Sequence, residues 1–397
     1  MIVLVAPEPA SWIVPLTISL RRHGAVQVFA PWALGRGSPS WLPARSRPSW
    51  TRRRLAPGAT SLQPGWTGVE AALGLWAGRR TDRLMTARYA KRRLADGMAA
   101  WWLEHLRRDV TLVVAPSLAA RRTFAAAAAR ALPRVLLEDL PGLRELHDDL
   151  DGASRRWPDS HLLRRYRAPA ALVARQEAER VLADLVVVGG RFAERERRGR
   201  GLPPERIAIL PRADHGVGSA AAGHAVHDRP GPNILLAGSA AARHGVFEAL
   251  EATRMIPGAT LLVRPGEGAE TAALQANPQV RLASTEERER LSGVDLVLAP
   301  AWCECYPPEV PLAARLALPV VASGRAAGTV DLARAGAEVP PGDVPAIVQA
   351  IERLWRTPRL PLADDLSTST LDAALDSLLA PSSTAAPLRD RRLRVLS

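Results

Sequence analysis

The sequence predicts an α/β protein built from two doubly wound domains that face each other across a cleft. Short runs rich in Val, Ile and Leu alternate with helical patterns along most of the 397 residues. Those runs are continuously apolar rather than alternating, as strands are when a parallel sheet is covered on both faces. The series breaks once, at 212–232, where "RADHGVGSAAAGHAVHDRPGP" is rich in Gly, Ala, His and Pro, has no period and reads as a linker.

In the first domain, 1–211, "IVLVA" (2–6) reads as a strand, 11–22 as a helix and "AVQVFA" (25–30) as the next strand. A long helix over 84–107 leads to the strand "VTLVVAP" (110–116), and an alanine-rich helix (118–131) to the strand "RVLLE" (134–138). A helix near 168–182 precedes the strands "ADLVVVGG" (183–190) and "RIAILP" (206–211). The second domain, 233–380, repeats the scheme with strands at 233–238, 259–266, 279–283, 294–300 and 319–323, and helices at 245–255 and 343–356. Its end is expected to pack back on the first domain, and the polar, arginine-rich 381–397 reads as a disordered tail.

Composition narrows the class. The chain is 47% apolar and 23% charged, as in a water-soluble globular protein, but its net charge is +13. Lys91 is the only lysine, so the basic residues are almost all arginine. Two causes stay open: a GC-rich genome, or attraction to an anionic partner such as a sugar nucleotide or a phospholipid. Nucleic acid is not expected, because no recognition motif accompanies the charge. Cys303 and Cys305, one residue apart and without other Cys/His partners nearby, read as reduced thiols. The apolar N-terminus carries Glu8, lacks a basic leader and is broken by Pro7, Pro9 and Pro15, which suits a buried first strand better than a membrane span. These readings place the protein in the cytoplasm.

Residues 35–107 differ from the rest. Trp41, Trp50, Trp66, Trp76, Trp101 and Trp102 fall among Arg45, Arg47, Arg52, Arg53, Arg54, Arg79, Arg80 and Arg93. Either this is a solvated insertion with tryptophans tucked into local core, or it is a surface that meets an anionic lipid layer on the inner face of the membrane.

The second domain holds the richest motifs. "AGSAAARHG" (237–245), "VDLVLAP" (294–300), "CECYPPEVPLAARLALPVVAS" (303–323) and "AGTVDLARAGAEVPPGDVPAIVQAI" (327–351) follow one another at strand–loop–helix spacing. In the first domain "AERVLADLVVVGGRF" and "LPPERIAILPRAD" close the sheet. Together these segments resemble the group 1 family of glycosyltransferases, which have the GT-B fold of two Rossmann-like domains. The resemblance implies a retaining transfer of a sugar from a nucleotide-sugar donor to a glycan or lipid-linked acceptor, in envelope or exopolysaccharide synthesis. It implies no cofactor and no metal, because protein cations and a helix dipole neutralise the leaving diphosphate. The implied donor-binding residues are Gly238, Arg243, His244, Glu304, Tyr306, Gly328 and Thr329. Glu138 and Asp139, after the fourth predicted strand, are candidates for the acceptor hydroxyls, with a helix-capping pair as the alternative.

Departures from the family pattern fall on the donor contacts. Ser239 stands for the loop arginine, His244 for the lysine and Leu312 for the second acid of the Glu-x7-Glu pair. Pro307 and Pro308 replace backbone donors, Glu309 would repel an incoming diphosphate, and "APEPASW" (6–12) has no glycine. Arg243 is placed to supply missing charge. Two readings remain: a divergent transferase, or a non-catalytic binding or scaffold protein on a transferase-like fold.

The lipid-facing reading of 35–107 has a direct check in liposome sedimentation. The protein is expected to pellet with anionic vesicles and to be released as salt rises. Equal recovery with neutral vesicles would leave the segment as ordinary surface.

Overall fold

The computed structural model describes residues 1–7, 12–29, 60–62, 81–105, 109–139, 141–160, 163, 166–210, 230–264, 274, 277–328, 330–357 and 369–380. Trp41, Trp50, Trp66 and Trp76 with the arginines around them, most of the linker 212–232, the tail 381–397 and Thr329 lie outside that set.

The first domain contains β1 (Ile2–Val5), α1 (Ile13–Leu20), β2 (Val26–Phe29), β3 (Thr60–Leu62), α2 (Thr81–His105) and β4 (Leu112–Pro116). It continues with α3 (Arg121–Ala129), β5 (Arg134–Glu138), α4 (Leu143–Arg156), α5 (Ala170–Leu182), β6 (Leu185–Val188), α6 (Arg191–Gly199) and β7 (Ile207–Ile209). These seven strands form one parallel sheet in the order β3-β2-β1-β4-β5-β6-β7.

The second domain runs through β8 (Asn233–Leu236), α7 (Val246–Met255), β9 (Thr260–Val263), β10 (Val280–Leu282), α8 (Thr285–Glu289) and β11 (Leu296–Ala299). Then come α9 (Glu309–Arg315), β12 (Val320–Ala322), α10 (Leu332–Ala335), β13 (Gly336–Glu338) and α11 (Val344–Leu354), followed by α12 (Ser369–Leu379). Its six strands are also parallel, in the order β10-β9-β8-β11-β12-β13.

Each sheet is covered on both faces, which explains the unbroken apolar strands. Ile2 and Leu4 pack with α1 and α12, while Val3 and Val5 pack on the opposite face with α2 and α3. In the second sheet Ile234, Leu236 and Leu298 meet α7 and α11, and Leu235 and Val297 meet α9 and α10. In both sheets the chain order reverses beside the first strand of the domain. Such a switch point opens a crevice beyond the strand C-termini. In the second domain that crevice lies between the loops after β8 and β11.

Three features go beyond the sequence reading. Within 35–107, β3 adds an edge strand and α2 covers the sheet, so this part belongs to the domain itself; Trp102 is 6% exposed and Trp101, stacked on His105, is 54% exposed. The charged α4, "LRELHDDLDGASRR", escapes apolar periodicity because it packs one narrow stripe, Leu150 and Ala153, against the second domain. Finally, α12 returns to the first domain, where Leu371 and Leu375 join the core beside α1 and Asp372 binds Ser19 and Arg22. Among the described residues no helix is long and apolar enough to cross a membrane.

Because Leu371 and Leu375 are fully buried, Leu371→Ala or Leu375→Ala is expected to cost about 2–5 kcal/mol. Urea denaturation followed by fluorescence checks this; a loss under about 1 kcal/mol would detach α12 from the first-domain core.

Candidate functional site

The loop after β8 begins the site. Gly238 and Gly245 bracket it, both with positive φ (79° and 81°). Gly245 directly precedes α7, and a Cβ there would lie 2.4 Å from the Pro300 carbonyl oxygen, so only glycine lets this loop pack against the end of β11. The loop is strapped to the end of β9 by the Ala240 N–H, which donates to the Arg264 carbonyl at 3.1 Å.

His244 does not replace the lysine. Burial and the neighbouring Arg243 push its pKa down to about 4, so the ring is neutral at pH 7. Its Nδ1 lies 2.8 Å from the Ser239 carbonyl and 3.0 Å from the Ser239 hydroxyl, which fits an Nδ1–H donated to the loop itself. The charge resides on Arg243, exposed within the loop, and on Arg264; the side chains of both make no hydrogen bond or ion pair among the described residues. Arg264 carries no signal in the sequence, since only the Ala240 strap brings it to the loop.

Glu304, implied by the resemblance to bind the donor, is buried rather than open to the cleft solvent. It is 7% exposed, accepts a hydrogen bond from the Tyr306 hydroxyl, and its Oε2 lies 3.9 Å from Arg197 Nη2 of α6. Burial raises its pKa to about 7, against the opposing pull of Arg197. Tyr306 in turn lies against the first domain: a Cβ on Gly189 would fall 2.5 Å from its ring. Gly328 accepts a hydrogen bond of 3.0 Å from the Arg191 N–H, and a Cβ on Gly190 would fall 2.6 Å from the Gly328 carbonyl oxygen. The two glycines after β6 thus let the domains touch.

Glu138 and Asp139 are both engaged by arginine. Arg197 donates from Nε to Glu138 at 2.6 Å and from Nη1 to Glu145 at 3.0 Å, while Arg180 also binds Glu138. Burial alone would raise the Glu145 pKa, but Arg180, Arg197 and Arg200 outweigh it and hold the carboxyl below its usual range. Asp139 forms a two-pronged pair with the fully buried Arg92, at 3.0 and 2.7 Å. These acids bind side chains rather than capping α4, whose N-cap is Gly142. Glu145, Arg180, Arg197 and Arg92 carry no signal in the sequence; charge in a helix pattern reads as solvated surface until the partner helices are known.

A second interdomain contact lies on the far side of the loop. Glu248, fully buried in the first turn of α7, accepts indole N–H bonds from Trp157 at 2.6 Å and Trp302 at 2.9 Å. Burial raises its pKa, opposed first by the Trp157 hydrogen bond. The remaining sequence-level positions are accounted for simply: Leu312 is buried in the second-domain core, Pro308 is the N-cap of α9, and Cys303 is a buried free thiol whose pKa burial pushes up to about 12. Among the described residues no group of three or more His, Cys, Asp or Glu is placed to hold a metal ion.

No protein-family model and no curated protein matches the sequence. Solved structures do. The apo form of the lipopolysaccharide outer core galactosyltransferase WaaB is 12% identical, with 95% of this chain and 99% of that chain covered and a TM-score of 0.52. Sucrose-phosphate synthase from Thermosynechococcus elongatus is 15% identical, covers 96% and 92%, and has a TM-score of 0.48. A UDP-GlcNAc 2-epimerase from Methanocaldococcus jannaschii, solved with UDP-GlcNAc and UDP, is 10% identical, covers 95% and 98%, and has a TM-score of 0.49. At such identities likeness speaks to fold alone, and the fold is two Rossmann-like domains of the GT-B type.

The raised Glu304 pKa makes stability depend on pH. Between its ordinary value of 4.5 and about 7 the folded chain keeps a proton that the unfolded chain has lost. Rising pH through that window therefore destabilises the fold, by up to about 3 kcal/mol. Glu304→Gln removes this dependence, so the variant is expected to match the wild type near pH 4.5 and exceed it at pH 8. Unfolding free energies across pH check this, and a difference that stays constant with pH would show that Glu304 titrates normally.

Proposed function

We propose that the protein is a divergent glycosyltransferase of the group 1 type, moving a sugar from a nucleotide-sugar donor to a glycan or lipid-linked acceptor in envelope or exopolysaccharide synthesis. The observation that supports it best is the corner at the second-domain switch point. There a glycine-bracketed loop carries Arg243, beside Arg264, and among the described residues neither guanidinium has a protein partner. Unpaired cations beyond the C-terminal edge of a parallel sheet suit a phosphate-bearing ligand.

In this reading Arg243 and Arg264 hold the diphosphate and stabilise its charge as it leaves. Arginine takes the place of the loop cations without a metal. Glu304 and Tyr306 meet the sugar hydroxyls, with Gly328 beside them, once the Arg197 contact loosens. The leaving diphosphate keeps the electrons of the broken C1–O bond. The acceptor oxygen forms the new bond on the same face, and its proton passes to the departing phosphate. Glu138 and Asp139 stand at the end of β5 on the acceptor side, where they anchor Arg180, Arg197 and Arg92. The tryptophan- and arginine-rich segment brings the protein to an anionic membrane where a lipid-linked acceptor resides.

A second reading, a non-catalytic transferase-like binding protein, is favoured by one observation: Glu304 and Glu138 are both drawn to Arg197, where a sugar and acceptor would have to compete. Nucleotide binding separates the two. Arg243→Ala is expected to weaken nucleoside-diphosphate affinity by about 1.5–3 kcal/mol, as for a charge-assisted hydrogen bond. Titration calorimetry with UDP and GDP, alongside a hydrolysis screen of nucleotide sugars, measures it. Equal affinity in both proteins would move the phosphate site elsewhere.

A further inference from the structure

One buried acid at the glycine-bracketed loop has no part in the transfer described above. Glu309, the first residue of α9, is 4% exposed, and its Oε2 accepts a hydrogen bond of 3.3 Å from the Gly238 N–H. Among the described residues it makes no ion pair. A buried carboxylate without a cation is costly, so its place on that N–H needs an explanation. The corner supplies one, because Arg243 on the loop and Arg264 strapped to it are cations, and among the described residues no carboxylate binds their side chains. The carboxylate and the loop therefore have the charge relation of an anion and its site.

Donors at this corner are scarce. Pro307 and Pro308 have no N–H to offer. The Ala240, Ala241, His244 and Gly245 N–H groups are bound within the loop or to its strap. His244 is neutral and turned to Ser239. Beside the first-turn N–H groups of α7, the Gly238 N–H is a donor the loop itself can turn to an incoming phosphate, and a carboxylate already holds it.

We propose that Glu309 is a resident anion that gates the loop: it occupies the Gly238 N–H, repels free diphosphates, and must swing away or be neutralised before an anionic ligand seats. This rests on the reading of the loop as the donor site. A like charge at the seat disfavours an incoming anion, so the gate lowers anion affinity by roughly tenfold or more. It also accounts for a donor corner that keeps its cations while losing several neutral contacts: the arginines must outbid an internal competitor.

Titrating pyrophosphate and UDP into wild type, Glu309→Gln and Glu309→Ala tests the gate. Both variants are expected to bind pyrophosphate roughly tenfold or more tightly than the wild type. Where the alanine variant loses stability, the glutamine variant, which keeps the shape, decides. Equal or weaker pyrophosphate binding in the variants overturns the gate, and so does the lack of pyrophosphate binding in all three proteins. Pyrophosphate carries neither base nor sugar, so the two readings fail separately. Tighter pyrophosphate binding without nucleotide-sugar binding in any protein keeps the gate and removes the transferase. Nucleotide-sugar turnover with affinities indifferent to Glu309 does the reverse.

Discussion

The Arg197 guanidinium is the point on which the arrangement of this molecule turns. It is 2% exposed, it belongs to α6 of the first domain, and it binds Glu138 at the end of β5 and Glu145 of α4. Its remaining nitrogen, Nη2, has no hydrogen-bond partner and lies 3.9 Å from Glu304 of the second domain. Burying such a cation requires several carboxylates, and their collective field raises its pKa against the cost of desolvation. The acid most strongly tied to a donor by family resemblance thereby becomes part of a domain contact. Its own pKa rises because this contact removes water faster than one distant guanidinium can compensate.

That contact is local, and it leaves the glycine-bracketed loop accessible. Close approach occurs where Gly189 and Gly190 meet Tyr306 and Gly328, and again where Trp157 and Trp302 share the Glu248 oxygen. Between them the loop after β8 keeps Arg243 exposed. Interdomain contact and the proposed phosphate binding thus fall to different residues, Glu304 and Tyr306 for one, Arg243 and Arg264 for the other. A ligand that engages the cations need not break the Arg197 cluster, whereas one that reaches Glu304 must.

Buried acids recur as anchors for backbone donors, and this constrains which acids are free for chemistry. Glu179 receives the Leu118, Ala120 and Arg121 N–H groups, and Asp96 receives those of Arg122 and Thr123, so the start of α3 is satisfied from two other helices. Glu309 on Gly238 belongs to the same pattern, but with a difference that matters. Glu179 and Asp96 are both paired with Arg175, while among the described residues Glu309 has no such cation. Around the cleft, the acids described are largely employed in holding the fold, and the free charge is positive.

The sequence by itself determined the class of fold, the position of nearly every strand and the bracket of Gly238 and Gly245, because these follow from local pattern. A short apolar run such as "LVLA" between turn residues reads as a strand covered on both faces, and a glycine ahead of a helix marks a backbone that side chains disfavour. Tertiary structure alone decided the partners. Arg197 looks like one more surface arginine in "RFAERERRG" until β5 and α4 bring Glu138 and Glu145 to it from 59 and 52 residues away. Glu309 reads as an acid favouring a helix dipole until Gly238, 71 residues earlier, presents its N–H. Charge has no period that reveals its partner. Whether a carboxylate is solvated, paired or seated on a backbone donor depends on which distant segments the sheets bring together, and that decided the chemistry of this site.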